Sequence, residues 1–151
     1  MKSGTDFKAG FKFQAGLPAL GVIQGGNTSP KLFSIYAHVL LKEIEDCPSG
    51  LQLDNATKID VLAYADHIIL ISSSKLDIQR QIDVTERFGT RNEITFNPEK
   101  TMYMEFNLKV YRSADETRRD LWQEYIQLYQ TTIKQVKSMK YLVVTLTNDE
   151  E

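Results

Sequence analysis

Apolar residues recur at helical spacing in NTSPKLFSIYAHVLLKEIEDCPSG, which predicts an amphipathic helix. Ser29 or Thr28 can cap this helix, and Pro30 suits its first turn. Pro48 and Gly50 are expected to end it. The inward stripe predicted for it consists of Leu32, Phe33, Tyr36, Val39, Leu40 and Ile44.

The same period predicts a second helix in SSSKLDIQRQIDVTERFGTRNE. Ser74 with Asp77 three residues later resembles a capping box at its start. Ile78 and Ile82 are expected to face inward, and Gly89 is expected to stop the helix at its C′ position.

Strand patterns occupy most of the remaining chain. KIDVLAYADHIILIS contains two apolar runs joined at a polar dipeptide, which predicts a hairpin that is buried on both faces. TMYMEFNLKVY alternates like a strand, KYLVVTLT reads as one final strand, and the glycine-rich first 26 residues read as short strands and loops. Residues 115–138 fit a helix by propensity and a hairpin by alternation. The predicted fold class is α+β, an antiparallel sheet covered by two helices.

Composition narrows the class of protein. With 151 residues, 42% of them hydrophobic and 25% charged, we expect a single globular domain over residues 1–151. No apolar run approaches the ~20 residues of a membrane span, and the N-terminus has no signal-peptide pattern. A single cysteine, Cys47, excludes an internal disulfide framework and favours a reducing compartment. The predicted location is intracellular, in the cytoplasm or nucleus.

The charge balance gives little support to strong independent nucleic-acid binding. The net charge is −2, and only residues 1–40 lean basic, with four Lys or Arg against one Asp or Glu. A chain that binds nucleic acid through its phosphates usually carries a basic field.

Four short motifs follow one another along the chain: GVIQGGNTSPKLFSIY, YADH, ITFNPEKTMYMEF and VKSMKYLVVTLT. In this order they resemble the palm of reverse transcriptases from non-LTR (LINE-like) retrotransposons, over roughly residues 16–147. The resemblance implies a palm-like antiparallel sheet packed by two helices, lacking fingers and thumb. It also favours the hairpin for residues 124–138.

The resemblance identifies a metal site and shows where this chain departs from it. Nucleotide transfer needs two divalent metals, and Mg²⁺ prefers carboxylate oxygens. Asp66 matches one aspartate of the family's Tyr-Ala-Asp-Asp turn, but His67 replaces the second. The family's third aspartate lies on a strand that would precede residue 1, and Asp6 lies among glycines. A neutral imidazole is a poor Mg²⁺ ligand and a protonated one repels the metal, so the site is incomplete and Asp66 vestigial.

No cofactor is therefore expected, apart from Mg²⁺ for any residual activity. A zinc site from His67, His38 and Cys47 does not fit ligand spacing, since His38 and Cys47 are nine residues apart on or beyond one helix. We expect His67 to be a turn residue whose imidazole hydrogen-bonds Asp66 or solvent.

Further roles follow from the resemblance alone, each beside a structural alternative. Gln24, Gly25 and Gly26 would contact a template or nucleotide, or simply form the turn before the first helix. Tyr64 would line the nucleotide floor, or be a packed aromatic in a strand.

Two lysines are the remaining candidate site residues that the resemblance implies. Lys100 would act as proton donor or phosphate contact, or be a solvated lysine beside Glu99. Lys140, with Lys137, would belong to the primer grip. Val143 replaces the glycine that follows Tyr-Leu in that motif, and Ile23 replaces the arginine before the glutamine, and both changes weaken nucleic-acid contact.

Three functions remain open. The first is a catalytically inactive, domesticated palm that serves in protein interaction or self-association, with an open sheet edge where the upstream strand would pair. The second is a fragment of an RNA-directed DNA polymerase that needs an upstream segment. The third is a non-catalytic nucleic-acid binder.

Overall fold

The computed structural model describes residues 9–16, 29–64, 67–106 and 125–148. It has a mixed α+β architecture. The helices are α1 (Ser29–Glu45) and α2 (Lys75–Arg91), with a 3₁₀ turn at Pro98–Lys100. The strands are β1 (Ala9–Gly16), β2 (Leu51–Gln52), β3 (Lys58–Ile59), β4 (Val61–Tyr64), β5 (His67–Ser72), β6 (Thr95–Phe96), β7 (Met102–Glu105), β8 (Gln127–Leu128), β9 (Thr131–Thr132), β10 (Lys134–Gln135), β11 (Ser138–Tyr141) and β12 (Val144–Thr147).

The main sheet has the strand order β10-β7-β1-β5-β4, with β6 paired to the end of β1. All of its pairs are antiparallel except β10–β7, which is parallel. Strand β5 lies between β4 and β1. Among the described strands, β4 ends the sheet on this side.

Both helices pack on one face of the sheet. Alternate residues of β5, Ile68 and Leu70, point toward them, because successive side chains of a strand alternate between faces. The core on this side comprises Leu40, Ile44, Ile68, Leu70, Ile78, Ile82, Phe88, Phe96, Tyr103, Ile126, Leu128 and Ile133. The helix stripe is thus confirmed at Leu40 and Ile44, whereas Val39 is exposed.

A smaller apolar cluster covers the opposite face of β5. Ile69 and Ile71 pack there with Leu51 of β2, Ile59 of β3 and Tyr141 of β11. The two faces explain why the four residues IILI at the centre of β5 are all apolar: the prediction of burial on both faces is confirmed for β5. For β4 it is wrong, because an edge strand leaves Leu62, Ala63 and Tyr64 exposed.

An ion pair between the exposed Lys58 and the buried Asp60 joins the start of the β4–β5 hairpin to the end of α1. Lys58 Nζ lies 3.1 Å from Asp60 Oδ1 and donates to the carbonyl oxygens of Glu45 (3.0 Å) and Cys47 (3.2 Å). Because the last carbonyls of a helix lack internal partners and carry partial negative charge, an ammonium is a suitable cap. From α2, the buried Gln81 donates to the carbonyl of Ile71 at 3.2 Å.

The helix α2 starts as predicted and ends later than predicted. Ser74 is the N-cap and accepts from Asp77 N. Gly89 is a buried helical residue, and the helix continues to Arg91 with Asn92 as its C-cap. Gly89 serves close packing, since a Cβ there would lie 2.5 Å from the carbonyl oxygen of Ile94 and 2.8 Å from Tyr129 Oη.

The ambiguous segment before the last strands contains the hairpin β8–β9, as the resemblance favoured. Tyr129 and Gln130 form its turn, both with positive φ, which is the geometry of a two-residue hairpin loop. Gln79 of α2 holds this hairpin by accepting from Gln127 N (2.9 Å) and donating to Gln127 O (3.0 Å).

The final strand predicted for KYLVVTLT is wrong in one respect: the chain folds back as the hairpin β11–β12. Leu142 takes a φ of 55°, a left-handed conformation that turns the chain, and Val143 forms the tip. Within the described residues, neither helix is long and apolar enough to cross a membrane.

Candidate functional site

The first and last residues of the tetrapeptide YADH, Tyr64 and His67, lie at the end of the β4–β5 hairpin. Strand β4 ends at Tyr64 and β5 begins at His67, and these two residues are cross-strand partners. Ala65 and Asp66 lie outside the described residues, so the vestigial metal role of Asp66 stays a prediction. Strand β5 is buried, pairs with β1 and packs against α2.

His67 is the first residue of β5, and its imidazole packs toward the last hairpin. Its ring centroid lies 6.5 Å from that of Tyr141 with an interplanar angle of 79°, an edge-to-face arrangement. Aromatic pairs favour this geometry because the positive edge of one ring meets the negative face of the other. Burial of Tyr141 raises the pKa of its hydroxyl. The pair therefore joins the YADH tip to β11.

The strand beside the tip offers no carboxylate. In the β1–β5 register Gln14 lies opposite His67, and the sequence of β1, AGFKFQAG, contains no Asp or Glu. Among the described residues, no three His, Cys, Asp or Glu side chains come close enough to hold a metal ion. A centre of two hard cations needs several carboxylates, so the described residues do not fit a pair of Mg²⁺ ions.

The remaining predicted site residues are scattered over the fold. Tyr64 is 63% exposed on the edge strand, which contradicts the packed-aromatic alternative. Lys100 is an exposed residue of the 3₁₀ turn next to Glu99, consistent with a solvated lysine. Lys140 is exposed on β11, opposite Thr145 of β12.

The structure says less about the other candidate site residues. Gln24, Gly25, Gly26 and Asp6 lie outside the described residues, so their roles stay predictions. His38 is exposed on α1, and Cys47 is partly buried just after that helix.

The sequence reasoning overlooked Asp60. It is 5% exposed, and its burial raises the pKa of its carboxyl, while the pairing with Lys58 opposes this shift. In the sequence, the feature that could have indicated this ion pair is a single acid in the apolar run KIDVLAY, two residues after a lysine. Gly50 has a φ of 118° and lies against this carboxylate, with a Cβ position only 2.1 Å from Asp60 Oδ1.

Charge is divided between two parts of the described surface. Residues 41–60 carry five acidic and two basic side chains, a net charge of −3. Residues 125–147 carry three lysines and no acid, a net charge of +3. Asp54 contributes a permanent charge to the acidic part, because hydrogen bonds from the backbone N–H groups of Ala56 and Thr57 lower its pKa.

Comparison with known proteins finds two similarities. The family model described as reverse transcriptase (RNA-dependent DNA polymerase) matches residues 9–146. The chain is also 34% identical over 80 residues to the Retrovirus-related Pol polyprotein from type-1 retrotransposable element R2 of Popillia japonica. That match covers 53% of this chain and 13% of the relative, so the chain spans only a small part of the relative's length.

Proposed function

Because the chain belongs to the reverse transcriptase (RNA-dependent DNA polymerase) family, we propose that it is a palm-like domain which is catalytically inactive and acts in protein association. A six-stranded sheet covered by two helices on one face, with the β4–β5 hairpin at its edge, supports the palm-like description. The domain would be a domesticated descendant of a non-LTR retrotransposon enzyme, with a protein partner or a second copy as its ligand.

One observation carries the loss of catalysis. The position beside the YADH tip on β1 is Gln14, and the imidazole of His67 packs on Tyr141. Neither His67, the residue after Asp66 in the chain, nor Gln14, the partner of His67 on β1, offers a carboxylate for magnesium. One aspartate cannot hold two divalent ions whose charge must be balanced by several carboxylates.

Primer extension tests this proposal. The chain and its His67→Asp variant are assayed on a primed RNA template with Mg²⁺ or Mn²⁺, and neither is expected to extend the primer. Extension by the unaltered chain would overturn the proposal. Extension only by His67→Asp in a chain lengthened upstream would favour the fragment of a polymerase instead.

A second function, non-catalytic nucleic-acid binding, is favoured by the basic part of the surface. Lys134, Lys137 and Lys140 are exposed, and no acid accompanies them between residues 125 and 147. Fluorescence anisotropy with RNA, DNA and hybrid duplexes across a salt series measures this binding. Phosphate-driven affinity falls steeply with salt, and an affinity that ignores salt would exclude this mode.

A further inference from the structure

Two separate hairpins carry exposed apolar side chains around the second apolar cluster of the sheet. Leu62 and Tyr64 of β4 are the partners of Ile69 and His67, so they share the face that carries the second apolar cluster. His67 contacts Tyr141, and Val144 is the cross-strand partner of Tyr141. We name as the association face its exposed members Leu62, Tyr64, Leu142, Val143 and Val144.

The apolar side chains of the association face are largely exposed to solvent. Leu62 is 47% exposed, Val144 55% and Val143 91%. The tip is held by Leu142 at a φ of 55°, a conformation that costs a leucine free energy and persists where the surrounding structure imposes it. Contiguous exposed apolar side chains of this kind mark interaction sites.

The backbone of β4 adds to this surface. It is the last strand of the sheet among the described residues, and Val61–Tyr64 contains no charge and no proline. Charged side chains and proline are the usual protection of an edge strand. The charges that precede β4 in the chain, Lys58 and Asp60, are already paired with each other.

Opposite charges flank the association face. Glu45 lines the same surface cleft as Leu62, and Asp54 projects from the turn between β2 and β3, so the β4 side is acidic. Lys137 precedes β11, and Lys140 lies on the outer face of that strand, opposite to Tyr141, so the solvent side of the β11–β12 hairpin is basic. Both sides join the same cluster, through Leu51 and Ile59 on the acidic side and Tyr141 on the basic side.

We propose that this face binds a second copy of the chain about a two-fold axis. In such an interface residue i of one copy contacts residue j of the other and the reverse, so each acidic side meets the partner's basic side. The apolar side chains of both copies then lie in the centre, with charge at the rim. A nucleic acid fits less well because the acidic side would repel its phosphates. This inference rests on the proposed association function and assigns its surface and partner.

The mass of the chain in solution tests the apolar part of the proposal. Sedimentation equilibrium over the micromolar range is expected to give a particle of twice the 17.3 kDa chain mass. Val143→Ser is expected to raise the dissociation constant about tenfold or more, because the substituted side chain occurs twice in the interface. Ile35→Ser changes a comparably exposed residue on the helix side and should leave the constant unchanged.

Charge reversal tests the partner and the two-fold arrangement. Lys140→Glu should weaken association about tenfold, and adding Glu45→Lys in the same chain should restore most of it. Arg87→Glu is the control, since it makes the same charge change on the exposed side of α2. Circular dichroism confirms that every variant is folded.

Each result has one meaning. A monomer at all concentrations overturns the inference and leaves the lack of polymerase activity intact. A dimer that is indifferent to Val143→Ser and Lys140→Glu overturns the assigned face and leaves self-association intact. A monomer that binds a hybrid duplex overturns the inference in favour of the nucleic-acid function.

Discussion

At the scale of single residues, the pair Lys58–Asp60 explains an acid inside an otherwise apolar stretch. The ammonium forms an ion pair with a buried carboxylate and donates to two carbonyls at the end of α1. Lys58→Met keeps the aliphatic stem but leaves Asp60 buried and unpaired. We expect the free energy of unfolding to fall by about 2–3 kcal/mol, measured by urea denaturation.

Two companion variants separate the charge from the stem. Lys58→Met with Asp60→Asn should recover part of the loss, because an amide costs less to bury than a carboxylate. Lys137→Met, at an exposed lysine, should stay within about 0.5 kcal/mol of the native chain. Equal losses at Lys58 and Lys137 would contradict the assigned role.

Asp60 also gives the stability a dependence on pH. Burial raises its pKa in the folded chain above the ordinary value of 3.8, so between these two values the folded state binds more protons than the unfolded state. This contribution to stability is complete below the ordinary pKa and is lost as the pH rises through the raised one.

The difference in unfolding free energy between the native chain and Asp60→Asn should accordingly be largest near pH 4 and decrease toward neutral pH. Urea denaturation of both proteins at stepped pH measures it. A difference that grows with pH would mean that the attraction of Lys58 outweighs desolvation. Asp54, whose pKa is lowered, changes the stability only in a separate pH range, below its ordinary pKa.

At the scale of elements, the sequence predicted what depends on neighbours along the chain. Helical spacing placed α1 and α2, and the apolar run HIILIS placed β5 in the interior. The exposure of β4 and the role of β1 beside β5 depend on strand order, which no local pattern encodes. The turn at Leu142 was missed because a leucine at positive φ is disfavoured by its own propensity.

Gly89 shows the same limit, since its partners come from distant segments. Gly89→Ala should lower the free energy of unfolding by about 1–3 kcal/mol, because the new methyl group would overlap Ile94 O and Tyr129 Oη. The cost of this overlap is expected to exceed the ~1 kcal/mol by which alanine is favoured over glycine in a helix, so the net change is a loss of stability. Thr90→Ala, at the exposed next position, serves as the control in thermal denaturation and should be close to neutral. A stabilised Gly89→Ala would show that the contacts relax.

At the scale of the whole molecule, the motif order identified the family but not the surroundings of the site. The sequence placed Asp66 and His67 at one hairpin tip, as the ends of β4 and β5 bear out for His67. It did not show that Gln14 lies opposite His67 or that Tyr141 receives its ring. Both contacts join segments far apart in sequence, so no local pattern along the chain encodes them.

The separation of charge across the molecule leads to a last expectation. Self-association through the association face combines apolar burial with attraction between parts of net charge −3 and +3. Raising ionic strength from about 0.05 M to 0.5 M shortens the screening length to a few ångströms, so the dissociation constant should rise several-fold and then level off. The plateau reflects the apolar part, which salt does not weaken. Lys140→Glu should flatten this salt dependence in sedimentation equilibrium, whereas a constant that falls with salt in both proteins would point to a purely apolar contact.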